Sequence, residues 1–399
     1  SFFPKMTSST RKKIILIDAN NFYVSCEQSL DPAIAGKPVV VLSNNDGCII
    51  ARSPEARVLG IGMGTPYFKT SQELERMGVV IRSSNYALYG DMSQRLMNIL
   101  KSNCENIEVY SIDEAFATLS KQSDNELHTW ARQLRVQVRK SLGLTIAIGV
   151  GRSKGQAKLA NYLAKSIPNY AGIYILKPSI DTDKLLDNIA IEKVWGIGHK
   201  MAHWCRLQGI NTARHFRDMD SGKLHSKYGV VGIRLQLELQ GHVCLPLQLA
   251  ISPKQETRVS RSFSRPITSL EELRQSIASY IVRAAEKLRE QRQTAGTITV
   301  FTRTSLTSPH FYSQKATAHF ETPTNDTREL LMASLPLTKK IFQPNYPLVK
   351  AGILMRNLQS SNYLQQHLPM DANTERYKHS TQLMTTVDRI NHHYGQRVV

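Results

Sequence analysis

Long apolar runs are missing from this 399-residue sequence. Stretches such as IILI and PVVVL fall far short of the roughly 20 residues a helix needs to span a bilayer, so no membrane crossing is expected. The TRKK stretch near the N-terminus is not followed by a secretory apolar segment. Cysteine is sparse: Cys26, Cys48, Cys104, Cys205 and Cys244 are scattered, odd in number and without CxxC spacing. That excludes a patterned zinc site and a disulfide framework, and points to a reducing cytoplasm. Low-complexity tracts and internal repeats are absent too, and the 41% hydrophobic, 21% charged composition is that of a globular chain.

Acidic residues are in deficit: 32 Asp plus Glu face 51 Lys plus Arg, a formal charge of +19. A folded chain this basic meets a polyanion, and nucleic acid is the leading partner class. The excess is +6 before residue 191 (23 basic, 17 acidic) and +13 from there on (28 basic, 15 acidic). The length predicts two to four domains, because single cores seldom grow beyond about 250 residues.

What is present begins with KIILID (13–18), a short apolar run that ends in a carboxylate, Asp18. It reads as a central strand delivering that acid, or as a core strand with an exposed terminal Asp. A helix start (ANNFYVSCE), a strand (GKPVVVLS), a turn (NNDG) and a short helix carrying Arg57 follow. Amphipathic helices over 92–103 and 126–142 bracket IEVYSIDEAFATL, and LTIAIGVG then precedes the lysine-rich helix SKGQAKLANYLAKS. Interleaving of this kind predicts helices on one face of a mixed sheet. Residues 186 to about 241 turn all-helical, LPLQLAISPKQE reads as a linker, and 257–356 show the βαββαβ order of a ferredoxin-like domain. A polar tail with one helix, STQLMTTVDRINHHYG, ends the chain.

Asp113 and Glu114 interrupt an otherwise apolar strand pattern. Neighbours on a flat strand point to opposite faces, so the two acids share a site only where the strand bends, at the tip of a hairpin with arms IEVYS and AFATL. With Asp18 they make an all-oxygen donor set, suited to magnesium or manganese; otherwise the pair is a solvated hairpin tip. Two such cations about 3.5–4 Å apart serve phosphoryl and nucleotidyl transfer.

In these residues the chain resembles the Y-family of translesion DNA polymerases, in its UmuC-type branch. DANNFYVSCE, GKPVVVLSNNDGCIIARSPEARVLGIGMG, YSIDEAF, VGRSKGQAKLANYLAK, VWGIGHKMAHWCRLQGI and SRSF carry the resemblance, in family order, over about residues 13–356. It implies an α+β right-hand polymerase: a ferredoxin-like palm (1–29 and 89–185), small fingers (30–88), a helix-hairpin-helix thumb (186–245), a linker (246–256), a little finger (257–356) and a C-terminal tail (357–399). Asp18, Asp113 and Glu114, helped by the carbonyl of Ala19, match the ligands of two magnesium ions, with manganese as a substitute. Tyr23 falls at the steric gate that rejects a 2′-hydroxyl, with Phe22 beside it in the pocket wall; its alternative is a core aromatic. Arg57 and Lys165 match triphosphate contacts, or are solvated helix charges. Where many members have Tyr three residues before that Arg, this chain has Pro54, which donates no hydrogen bond. Cys48, Ile49, Ile50 and Ala51 would roof the nascent base pair, a roof of small and medium side chains that suits bulky or damaged templates. No proofreading motif is apparent, so low fidelity is expected.

For DNA grip, Gly196, Gly198 and Lys200 resemble the first half of a helix-hairpin-helix, where backbone amides bind phosphate without reading sequence, or form a simple interhelical turn. Arg258, Arg261 and Arg265 along TRVSRSFSR are expected to line one strand face against a DNA backbone, or to protect an edge strand. In YLQQHLPMD, Gln365 and Leu368 fit a degenerate sliding-clamp peptide, from which His367 and Pro369 depart. The resemblance implies primer-template DNA and deoxynucleoside triphosphates as partners, contacts with UmuD-type subunits and a RecA filament, and a bacterial cytoplasmic, SOS-type damage response. A non-catalytic DNA-binding regulatory subunit would lack one or more of the three acids. A palm-type nucleotidyl enzyme such as a nucleotide cyclase would leave the C-terminal half without a role.

Overall fold

The computed structural model describes residues 13–120, 123–250, 253–361 and 372–395, the last without the side chains of 372–378. The chain divides into two compact units, Ser1–Ile251 and Ser252–Val399.

The first unit opens with β1 (Ile14–Ala19) and α1 (Phe22–Leu30). A small subdomain follows: β2 (Val39–Leu42), β3 (Ile49–Arg52), α2 (Pro54–Val58), α3 (Tyr67–Arg76) and β4 (Val80–Ser83). Its sheet has the order β3-β2-β4, with β4 parallel to β2. The chain then returns through α4 (Tyr86–Asn103), β5 (Asn106–Val109), β6 (Glu114–Thr118), α5 (Asp124–Leu142), β7 (Ile146–Gly151), α6 (Lys154–Ser166) and β8 (Ile173–Ile175). These complete a mixed five-stranded sheet, β5-β6-β1-β7-β8. Helix α5 is set by its ends: Ser123 and Glu126 form a capping box, and Gly143 closes it at φ 70°.

Helices cover both faces of this sheet, not one. Ile15 and Ile17 of β1 pack with α4 and α5, while Ile14, Leu16 and Phe116 meet Ala157 of α6 on the other side. The reason lies in IILI, a continuous apolar run rather than an alternating one, which is the pattern of a strand buried on both faces. Helix α6 approaches β7 so closely that a Cβ on Gly149 would lie 2.1 Å from the backbone nitrogen of Asn161. The Asn161 amide uses that proximity, donating to the Ala147 carbonyl at 2.9 Å.

Four further helices complete the unit: α7 (Ile180–Asp187), α8 (His199–Leu207), α9 (Ala213–Asp218) and α10 (Ser221–Leu239). They share a core with α6. Fully buried Glu238 of α10 ties this helical part to α6, accepting the Gly155 N–H at 2.8 Å. It also takes the N–H groups of Cys244 (2.7 Å) and Leu245 (2.9 Å), and its carbonyl accepts the Ser153 hydroxyl. Three main-chain donors satisfy a carboxylate that would otherwise be costly to bury.

The second unit is β9 (Thr257–Ile267), α11 (Leu270–Glu290), β10 (Gln293–Arg303), β11 (Ser313–Thr324), α12 (Thr327–Ile341) and β12 (Leu348–Ser360), a βαββαβ order folded as the antiparallel sheet β11-β10-β12-β9. Helices α11 and α12 pack their apolar sides on it. Helix α13 (Ala372–Tyr394) is longer than its sequence signal, and it docks through a two-pronged Arg289–Asp388 pair at 2.6 and 2.7 Å. The Ser380 hydroxyl donates to buried Asp326 at the cap of α12. Among the described residues no helix is long and apolar enough to cross a membrane.

Candidate active site

Strand register brings the acids together. Asp18 of β1 stands directly opposite Glu114 of β6, and the Ala19 N–H donates to the Asp113 carbonyl at 2.8 Å. Residues 110–113 leave strand geometry in a turn held by Ser111, whose hydroxyl donates to Asp113 Oδ1 at 2.5 Å. Ser111 Oγ in turn accepts the N–H groups of Asp113 (3.3 Å) and Glu114 (3.1 Å). This bend lets two sequence neighbours serve one site.

Helix α6 faces the acids with a row of ammonium groups. Lys165 Nζ lies 2.5 Å from Asp18, Lys158 Nζ lies 2.8 and 2.7 Å from the two oxygens of Glu114, and Lys154 Nζ lies 2.6 Å from Glu108. Burial pushes the Asp18 carboxyl up to about 6; Lys165 opposes the shift, and Asp113 and Glu114 add to it. Among the described residues no His, Cys, Asp or Glu cluster is gathered as a finished metal cage, because Asp18 and Glu114 are turned to lysines. The donor chemistry nonetheless fits a hard cation: every donor is oxygen, and positive charge already sits against two of the three carboxylates.

Tyr23, in the first turn of α1, stacks on Tyr89 (centroids 4.4 Å, 22°) with Tyr86 at its edge. Tyr89 is fully buried and donates its hydroxyl to Glu27 at 2.7 Å, which gives Tyr23 a fixed backing. Burial pushes the Tyr23 hydroxyl up from its ordinary value, with Tyr86 and Asp113 adding to the shift. Phe22 is only 4% exposed and belongs to the core, so of the two rings only Tyr23 faces outward. Arg57 is exposed and donates to Asn21 Oδ1 at 3.4 Å, beside the start of α1.

Pro54 has a local reason: it is the first residue of α2, where its fixed φ suits a helix start. The Ser53 hydroxyl before it accepts the N–H groups of Val39 and Ala56 and donates to the Lys37 carbonyl, an arrangement with no further donor to supply. Of the four residues expected to roof the base pair, Ile49 and Ala51 are buried, while Cys48 and Ile50 are half-buried.

Among the helices that follow, Gly196 adopts φ +86° where a Cβ would strike Leu235, and Gly198 caps α8 with no side-chain partner at its N-terminus. Lys200 is exposed one residue into that helix. A second turn of the same kind, unread in the sequence, breaks α10 at Gly229 (φ 58°) beside exposed Val230 and Val231. The β9 arginines do not share one face. Arg258 and Arg261 are three apart on regularly paired strand and point oppositely: Arg258 lies over the Phe301 ring at 4.7 Å, Arg261 shares the helix-covered face with buried Val259, and Arg265 pairs with Glu272 at 2.5 Å. Gln365 and Leu368 lie outside the described residues.

The impB/mucB/samB family model matches residues 17–162, and that family's C-terminal domain matches 254–368. The chain is 39% identical to Protein UmuC of Salmonella typhimurium over 381 residues, spanning 94% of this chain and 90% of that protein. The chain belongs to the impB/mucB/samB family, the UmuC-type branch of the Y-family DNA polymerases. Within that branch, Protein MucB of Escherichia coli is 37% identical over 343 residues, 85% of this chain and 81% of its own. A DNA polymerase IV of Corynebacterium diphtheriae shares 32% over 234 residues, 57% of this chain and 51% of its own. In fold, the family member aligns with a Y-family DNA polymerase chimera of Dbh and Dpo4 at a TM-score of 0.71, with 20% identity over 86% of this chain and 98% of that one. An insertion ternary complex of Dbh DNA polymerase aligns at 0.57, with 21% identity over the same shares.

Lys158, Lys154 with Glu108, Ser111 and the Tyr86–Tyr89 backing went unread in the sequence. The one available signal was the spacing of Lys154, Lys158 and Lys165 on a single helix.

Proposed function

We propose that this chain extends primers on damaged DNA templates with deoxynucleotides, with low fidelity and without proofreading, as part of an SOS-type damage response in the bacterial cytoplasm. The observation that carries the reading is the convergence of Asp18, Asp113 and Glu114 on one strand end, faced by the lysines of α6. Asp18, Asp113, Glu114 and the Ala19 carbonyl would hold two magnesium ions, or manganese in their place. When bound, these would activate the attacking oxygen and stabilise the leaving one. In the reaction the primer 3′-hydroxyl releases its proton to solvent as its oxygen bonds to the α-phosphorus, the α–β P–O bond breaks, and pyrophosphate leaves.

The chain's own residues supply the rest. Tyr23, braced by Tyr89, excludes a 2′-hydroxyl, and Arg57 and Lys165 neutralise the triphosphate. Residues 1–29 and 89–185 act as palm, 30–88 as fingers, 186–245 as thumb and 257–356 as little finger. The thumb glycines and Lys200 grip backbone phosphate, joined by Arg258 on the open sheet face of the little finger. Primer-template DNA and deoxynucleotides are the substrates; UmuD-type subunits, a RecA filament and, through Gln365 and Leu368, the sliding clamp are the proposed partners.

Primer extension by the purified chain across an undamaged and an abasic template, with magnesium, tests this. Asp113→Ala should reduce extension at least ~10³-fold, the scale of losing a preorganised electrostatic group; full activity in that variant overturns the site.

A further inference from the structure

Lys158 holds one of the three acids by both of its oxygens. Its ammonium engages both oxygens of Glu114 at 2.8 and 2.7 Å, and the pair is sheltered, the side chains 17% and 14% exposed. The same ammonium sits 4.6 Å from the centroid of Tyr110 and 5.8 Å from that of Phe116. It therefore has two seats, a carboxylate and an aromatic face that keeps it nearby when the carboxylate is taken. Its base does not move freely, because α6 rests against β7 at Gly149. Lys165 differs: its side chain, beside Asp18, is 34% exposed.

We propose that Lys158 is a positioning residue that competes with the divalent cation for Glu114, so that the free protein binds the cation weakly. The inference rests on Glu114 as a cation ligand. A cation approaching Glu114 must take oxygens the ammonium now holds, and Lys158 must retreat to its aromatic seat. A lysine that merely stabilised the fold would have the opposite signature, since its loss would loosen the site and weaken the cation.

Mn²⁺ alone, titrated into the full chain and followed by the electron paramagnetic resonance of the free ion, tests this without DNA synthesis. Lys158→Gln should bind Mn²⁺ about three- to tenfold more tightly than the parent, the range of one partly buried ion pair. Lys158→Arg, which keeps the charge, should bind like the parent. Lys158→Met, which keeps an apolar stem against Tyr110 and Phe116, should show the same gain and serves if the Gln variant folds poorly. In a Glu114→Gln background the gain should vanish. Equal or weaker binding in both neutral variants, or the same gain without Glu114, overturns the inference. Mn²⁺ binding indifferent to Glu114→Gln alone overturns instead the ligand assignment beneath it.

Discussion

Gly149→Ala is the substitution through which the placement of the whole site can be tested. Its Cβ would meet only backbone of α6: Asn161 N at 2.1 Å, Ala157 O at 2.5 Å and Asn161 Cα at 2.7 Å. No rotamer change relieves such contacts. Ordinary contact begins at 3.4 Å, so the helix must withdraw from β7 by about 1.3 Å. A shift of that size takes the Asn161–Ala147 bond, now 2.9 Å, out of range and draws Lys165 away from Asp18. Overpacking costs about 1–3 kcal/mol and the lost buried bond about 1 kcal/mol more. For a unit of this size that lowers Tm by roughly 5–15 °C. Calorimetry reads the stability, and primer extension should show a raised KM for deoxynucleotide before any loss of primer binding. A variant melting within about 1 °C of the parent would refute the packing argument, because no accommodation of a 2.1 Å backbone contact is free.

Further outcomes follow from other residues. Asp18 is held up to about 6 by burial, so its charge opposes folding above that pH. Asp18→Asn should abolish primer extension yet stabilise the cation-free protein at pH 7.5 by on the order of 2 kcal/mol, a gain read by urea titration that disappears below about pH 4. Asp326 behaves oppositely: Arg328 and the Ser380 hydroxyl overcome its burial and hold it down to about 2. Its contribution of about 2 kcal/mol is present above its unfolded value near 4 and is lost as pH falls toward 2. Urea midpoints of the parent and Asp326→Asn should therefore differ at pH 7 and converge near pH 2. Tyr23→Ala should admit ribonucleotides in primer extension, and unchanged sugar selection would remove it from the gate. Lys200→Ala should lower the slope of log affinity for primer-template against log salt by about one, measured by fluorescence anisotropy.

Much of this was legible in the sequence, for stated physical reasons. IILID read as a strand ending in an acid because a short apolar, largely β-branched run suits a buried strand, while the role of its terminal Asp stayed open. The hairpin between β5 and β6 was expected on the condition that the two adjacent acids share a site, since they cannot share one face of a flat strand. Two-sided burial of the sheet was signalled by the unbroken apolar run but was read as one-sided. Helix α3 and the four-residue β4 escaped, the latter because a short parallel strand is specified by its distant partner β2 rather than by its own pattern. The face of Arg261 went astray because spacing of three was read without strand parity. The lysine–carboxylate pairs could not be read at all, since they depend on how closely α6 can approach β7.

Helix α6 also bears on how this protein can be divided. Its first residues are bound to Glu238 at the far end of the helical subdomain, its middle to Glu114, and its last turn to Asp18. Thirteen residues, about 20 Å of helix, thus belong to two subdomains at once. A chimera that exchanges the helical part alone, cut near residue 186, would keep an α6 whose N-terminal contacts with Glu238 come from a foreign chain. The contacts of Glu238 with Ser153, Gly155 and Leu245 stay within one parent sequence only if residues 153–245 are exchanged as a whole.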